Sequence, residues 1–194
     1  MRRFCCFWML LGLAVAVAAP VQAMPPAQSV VYVGTEVPKE EGWPKLSLAG
    51  YLWQAPGTRE ISAYVGPRWD FLEDRLGLEI KVGGYAADEF KPVVNVEVLW
   101  EDGPLSLGYF GDFSWPTAHY SWLDGTYAFG PLSLGAMADL TWQHSPRVLE
   151  AAAGPLIGAG HKGFDVALAP TWDLKGNLTV RVFLSLQLNE LAAK

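Results

Sequence analysis

Residues 61–71 of the chain read ISAYVGPRWDF, and apolar and polar side chains alternate along this stretch. The odd-numbered positions from Ile61 to Phe71 are all apolar, whereas the even-numbered positions include Arg68 and Asp70. Successive side chains of a β-strand point to opposite faces, so this spacing predicts a strand with one apolar and one polar face. A helix would instead place its apolar residues three and four positions apart.

The same alternation recurs along most of the chain. It is clear at 76–82, 92–100, 164–174 and 178–188, where every charged residue lies on the interleaved face. It is weaker at 45–53, 104–114, 117–128, 131–143 and 147–160, and Gly, Pro and Asn mark the breaks between segments. Strands of this length joined by tight turns predict an all-β fold, a single closed antiparallel up-and-down barrel. We prefer ten strands, with eight as the alternative if a weak segment within 117–160 is not a strand.

The N-terminus has the order of a secretory signal. Met1-Arg2-Arg3 precedes an apolar run from Phe4 to about Ala19, and Val21-Gln22-Ala23 offers small residues at a cleavage site. We therefore expect a cleavable signal peptide over 1–23, an extended periplasmic lead-in over 24–44, the β-barrel over 45–189 and a polar tail over 190–194. Both cysteines fall within the signal peptide, so the exported chain is expected to contain no thiol.

Composition excludes several classes of function. The net charge of −6 becomes more negative when Arg2 and Arg3 are removed, and an acidic surface disfavours nucleic acid as a partner. The three histidines lie on separate segments, and no spacing of His or carboxylates suggests a metal site. We predict no metal and no cofactor.

Alternation alone fits two kinds of barrel. A soluble lipocalin-like periplasmic carrier has its apolar face inside, whereas a membrane barrel has it outside. The apolar strands are about 10 residues long, the length that a tilted strand needs to cross hydrocarbon. Aromatic residues also gather near strand ends, as in the girdles of membrane barrels. The expected girdle residues are Trp69, Trp100, Trp115, Trp142 and Trp172.

In strand pattern, turn placement and aromatic strand ends, residues 45–189 resemble the small outer-membrane β-barrel proteins of Gram-negative bacteria. The resemblance is to the class and to no specific family. It implies a location in the cell outer membrane, contact with outer-membrane lipid and insertion by the barrel assembly machinery. The oligomeric state is left open.

The interleaved polar face then lines the lumen, and acidic residues outnumber basic ones there. The expected lumen-lining polar residues are Arg68, Glu79, Lys81, Glu97, Asp165 and Arg181. A barrel of this size is mostly filled by its own side chains. The first functional prediction is therefore a non-enzymatic envelope structural component or a narrow, porin-like pore.

An enzymatic alternative rests on His119-Tyr120-Ser121. This triplet is similar to the His-x-Ser pair that lipid A deacylases carry on a barrel strand, a likeness that implies a membrane-embedded acyl hydrolase. A carboxylate that orients the histidine is also required, and Asp112 and Asp139 are the candidates. If Trp115-Pro116 is a two-residue turn, Asp112 lies directly opposite His119.

Overall fold

The structure is a computed structural model that describes residues 27–37, 44–55, 58–86, 90–114, 118–144 and 147–188. Eleven β-strands account for nearly all of these residues. They are β1 (Ala27–Val37), β2 (Lys45–Ala55), β3 (Thr58–Phe71), β4 (Leu76–Ala86), β5 (Phe90–Asp102), β6 (Leu105–Ser114), β7 (Ala118–Phe129), β8 (Leu132–His144), β9 (Arg147–His161), β10 (Phe164–Asp173) and β11 (Leu178–Gln187). The expected signal peptide 1–23 and polar tail 190–194 lie outside the described residues.

The strands form one closed barrel. Each strand pairs in antiparallel fashion with the next in sequence, and β1 closes the sheet by pairing with β11 in parallel, from Ala27 opposite Val180 to Gly34 opposite Gln187. The prediction of an all-β closed barrel is confirmed. The preferred count of ten strands was wrong, the alternative of eight was also wrong, and the sheet is mixed rather than wholly antiparallel.

The additional strand is β1, which lies inside the segment expected to be a lead-in. The prolines and charges at both ends of 24–44 concealed an alternation between them, in which Val31, Val33 and Val37 occupy one parity and Tyr32 and Glu36 the other. Without β1, the edges of β2 and β11 would present unpaired backbone groups. Pairing with both strands removes these edges.

Four of the described turns lie at one end of the barrel, which we call the upper end. They are residues 72–75, 103–104, 130–131 and 162–163. The repeated string GPLSLG, at 103–108 and 130–135, begins each time with a two-residue turn whose glycine has a positive φ, 60° at Gly103 and 67° at Gly130. Glycine adopts this conformation without a steric penalty, which suits it to tight hairpins. Because the strand number is odd, Ala27 lies at the lower end and Leu188 at the upper.

The barrel buries charged and polar side chains inside, beside an apolar cluster of Met137, Leu156 and Ala169, and its outer face is apolar. Its most deeply buried large side chains are Lys81, Asn95 and Thr171, each 0% exposed. Large hydrophobic side chains such as Ile61 and Val82 are instead 63% and 59% exposed. The apolar face of the five clearly alternating segments, 61–71, 76–82, 92–100, 164–174 and 178–188, is thus the outer surface.

Candidate functional site

An ion-pair network lines one wall of the lumen. Lys81 Nζ lies 2.8 Å from Glu79 Oε2 and 2.8 Å from Glu97 Oε1. These two glutamates are cross-strand partners on β4 and β5, so Lys81 separates charges that would otherwise repel. Ser47 also donates a 2.7 Å hydrogen bond to Glu79, and Tyr51 a 2.6 Å bond to Glu97.

The network continues toward the upper end through Arg68. Its guanidinium contacts Glu36 at 2.6 Å, Asp70 at 2.8 Å and Glu79 at 3.2 Å. Lys45 lies 2.8 Å from the second oxygen of Asp70. Acids and bases therefore alternate in space, which compensates most of the charge within this network.

Separate polar pairs lie elsewhere in the interior. Asp112 accepts a 2.6 Å hydrogen bond from Tyr64 and a 2.8 Å bond from Asn95. Arg181 forms an ion pair with Asp139, and its Nε donates to Gln28 on β1 at 3.0 Å. This last contact ties the side chains of the parallel closing pair together.

Aromatic rings cross the middle of the lumen. The Tyr51 ring on β2 lies 5.3 Å from that of Phe110 on β6, and Phe110 stacks on Trp122 at 4.7 Å. Trp122 in turn makes an edge contact at 5.6 Å with Phe183 on β11. Phe110 and Trp122 are cross-strand partners on the neighbouring strands β6 and β7, whereas Tyr51 on β2 and Phe183 on β11 reach them from strands that are not neighbours of these two. We call Tyr51, Phe110, Trp122 and Phe183 the aromatic plug, because they fill the interior from one wall to another.

A cavity of about 280 Å³ lies beside the aromatic plug and the ion-pair network. It extends toward the upper end, where Glu36 and Gln187, close to the ends of their strands, contribute to its wall. Gly77 and Gly108 face inward and have no side chain, which leaves space for this cavity. A second cavity of about 170 Å³ has Trp122, Phe183 and Ser185 in common with the first, and Asp124 and Asp165 also line it.

Acidic residues outnumber basic ones on the inward parity of the strands. The acids are Glu36, Glu60, Asp70, Glu79, Glu97, Glu101, Asp112, Asp124, Asp139, Glu150, Asp165 and Asp173. The bases are Lys45, Arg68, Lys81, Lys91 and Arg181. The interior therefore carries a negative potential that favours cations.

The six residues expected to line the lumen all lie on the inward parity of their strands. Arg68, Glu79, Lys81 and Glu97 belong to one network, Arg181 pairs separately with Asp139, and Asp165 lines the smaller cavity. Sequence reasoning did not assign Glu36 or Lys45 to this network, because it placed the first in a lead-in and gave the second no role. Tyr64 and Phe183 lie at positions of their strands that alternate with the apolar outer face. This spacing could have predicted that aromatic side chains enter the lumen.

The four candidate catalytic residues of the sequence analysis are not brought together. The chain pairs Ser114 with Ala118, so that Phe113 faces His119, and Asp112 faces Tyr120. The predicted two-residue turn would have paired Ser114 with Thr117, and a shift of one residue moves every side chain to the opposite face. His119 and Ser121 consequently lie on the outer face, with His119 stacked against Phe113 at 5.8 Å.

The two proposed carboxylates lie on the opposite side of the barrel wall. Asp112 is engaged with Tyr64 and Asn95, and Asp139 with Arg181. The expected arrangement of a carboxylate, a histidine and a serine in one hydrogen-bonded line is therefore absent from these four residues.

The girdle tryptophans divide between the two ends of the barrel. Trp69 and Trp100 face outward near the upper end, whereas Trp142 and Trp172 face outward near the lower end. Phe129 and Phe90 extend the upper and lower sets, at 57% and 71% exposure. Trp115 lies outside the described residues.

The chain matches no protein-family model, and no curated protein is significantly similar to it. Within the described ranges, no helix is long and apolar enough to cross a membrane. In the same part of the chain, no three His, Cys, Asp or Glu side chains are grouped as metal ligands.

Proposed function

We propose that this protein is a transmembrane β-barrel of the Gram-negative outer membrane, exported by its N-terminal signal, and that it acts as a non-enzymatic, non-conducting component of the envelope. The observation that carries this proposal is the polarity of the outer face. Among outward-facing strand residues whose side chains are described, only Arg59 and Asp102 are charged, and both lie at strand ends. Such a surface matches hydrocarbon around its whole circumference.

The height of the apolar face supports the same proposal. Phe90 and Trp100 both face outward on β5, ten residues apart. At about 3.3 Å per residue they are separated by roughly 33 Å along the strand. A strand tilt near 40° reduces this to about 25 Å along the barrel axis, the height of the apolar band of outer-membrane barrels.

A soluble carrier is the less favourable alternative. Soluble monomers rarely expose apolar patches larger than a few hundred Å². A lipocalin-like carrier also needs an apolar interior, whereas this lumen holds Lys81, Asn95 and Thr171 fully buried. The arrangement is the reverse of what a water-soluble barrel requires.

The aromatic plug favours a closed barrel over a narrow pore. Contacts run from β2 to β6 and β7, and from β7 to β11, so rings from several walls meet across the lumen. Rings packed across the lumen in this way oppose the passage of a hydrated ion, which supports a non-conducting barrel. The acyl hydrolase hypothesis has no support from geometry, since His119 and Ser121 are separated from Asp112 and Asp139 by the barrel wall.

The test is fractionation followed by electrophoresis. We expect the protein in the outer-membrane fraction, with a band that migrates faster when the sample is loaded cold than after boiling. Recovery in the soluble periplasmic fraction, without such a shift, would overturn the membrane assignment. In planar bilayers we expect no discrete conductance steps, and regular steps would replace the structural assignment with that of a pore.

A further inference from the structure

Asp124 occupies an unusual position in the lumen. Asp124 projects inward from β7 and lines the smaller cavity. Its carboxylate also lies next to Gly108, which lines the larger cavity: a Cβ atom placed on Gly108 would lie 3.1 Å from Asp124 Oδ2. No Lys, Arg or His side chain in the described part of the chain lies within 4.0 Å of its carboxylate. The indole of Trp122, a neutral donor two residues earlier on the same face of β7, lines the same cavity.

This environment contrasts with that of the other wall. Glu36, Glu79 and Glu97 also line the larger cavity, but each is already engaged by Arg68 or Lys81. Asp124 therefore carries negative charge without a matching side-chain cation among the described residues, and a half-buried carboxylate is stabilised by a cation placed next to it.

Aromatic rings surround the same space. Trp122 and Phe183 line both cavities, and Phe110 lines the larger one beside Trp122. Aromatic faces attract organic cations, most strongly where water is excluded, and aromatic cages recognise quaternary ammonium groups in this way. A concave apolar pocket with a few polar groups is the usual form of a small-molecule site.

We propose that the space around Asp124, where the two adjacent cavities share Trp122 and Phe183, binds a small organic ammonium ion, with its charge beside Asp124 and its alkyl groups against these two rings. The volumes of about 280 and 170 Å³ suit a ligand of the size of choline. Access is from the upper end of the barrel, to which the wall of the larger cavity extends.

The experiment uses the full exported barrel, folded in a nonionic detergent so that the detergent supplies no competing ammonium group. Choline chloride is titrated while tryptophan fluorescence is recorded, and 3,3-dimethyl-1-butanol serves as the uncharged ligand of the same shape. We expect saturable binding of choline and at least tenfold weaker binding of the alcohol. Equal affinity for the two ligands, or no saturation with choline, would overturn the proposal.

Two variants locate the site. Asp124→Asn is expected to weaken choline binding by about tenfold or more, whereas Glu150→Gln, which removes an inward acid on β9 away from both cavities, leaves it unchanged. Phe183→Leu keeps Asp124 and removes one ring, so it is expected to weaken choline several-fold more than the alcohol. An unchanged affinity in both Asp124→Asn and Phe183→Leu contradicts the assignment.

Each variant is first tested for the cold-to-boiled band shift, so that loss of folding is separated from loss of binding. If Asp124→Asn does not fold, Phe183→Leu carries the test. The binding result does not depend on where the protein resides, because fractionation decides the membrane proposal by itself.

Discussion

Replacing Lys81 with Met is expected to destabilise the barrel by about 3 kcal/mol. The ammonium group is 0% exposed and lies 2.8 Å from both Glu79 and Glu97. Methionine preserves most of the volume and removes the charge. Breaking a buried ion pair by deleting one partner costs about 3–5 kcal/mol, because the remaining charge stays buried without compensation.

The geometry indicates the lower end of that range. Glu79 keeps Arg68 at 3.2 Å and Ser47 at 2.7 Å, so its charge is still compensated. Glu97 keeps only the Tyr51 hydroxyl at 2.6 Å and then faces Glu79 directly across the strand pair. Its side chain is 20% exposed, so contact with the cavity offsets part of the penalty.

The assay is urea-induced unfolding of the barrel from lipid vesicles, followed by tryptophan fluorescence. Lys175→Met, in the exposed turn after β10, is the matched control and is expected to change the free energy of unfolding by less than about 0.5 kcal/mol. Adding Glu97→Gln to Lys81→Met is expected to restore at least about 1 kcal/mol, since it removes the uncompensated charge. A folded Lys81→Met barrel that is as stable as the Lys175→Met control would refute the reasoning.

Three further predictions concern the wall of the barrel. Val96→Arg, at the middle of the outer face of β5, is expected to lower the free energy of unfolding from vesicles by about 2–4 kcal/mol. Leu105→Arg, at the start of β6, is expected to lower it by only about 0–1 kcal/mol. Equal effects of the two variants would contradict a membrane at this depth. Gly66→Ala is expected to destabilise the barrel by about 1–3 kcal/mol or more, since its new methyl group meets the backbone of Ile80 and Lys81. Gly50→Ala is expected to be tolerated in the same unfolding assay, because its new methyl group would lie 3.7 Å from the nearest atom, the backbone oxygen of Ser62. Cysteines introduced at Ser29 and Val182, which are directly paired on β1 and β11, are expected to form a disulfide that a non-reducing gel detects. Cysteines at Ser29 and Leu186 are not expected to form one. Cross-linking of the second pair alone would mean that the β1 register differs from the one described.

The sequence by itself predicted the kind of fold. Strict alternation from Ile61 to Phe71 and from Leu178 to Leu188 specified strands, because only an extended backbone places every second side chain on one face. Because the charged residues of these segments occupy every second position, the sequence also predicted that they share one face of the sheet, and Arg68, Lys81 and Arg181 all lie on the inward face.

Strand number and register depended on tertiary pairing. The alternation in β1 was concealed by flanking prolines and charges, and its role followed only from the need to cover the edges of both β2 and β11. The register of β6 against β7 was equally undetermined, because no local signal fixes the length of the turn between them. That single residue decided whether His119 lies beside Asp112 or outside the barrel.

The interior arrangement required closure of the sheet. Tyr51 and Phe110 are far apart in sequence and lie on strands that are not neighbours, so no pattern along the chain places their rings together. The same holds for Asp124, whose position between two cavities depends on the curvature that brings β6, β7 and β11 around one space. Alternation is a local property and determines which face a side chain occupies, whereas the neighbours that it meets inside the barrel are set by the number of strands and their stagger.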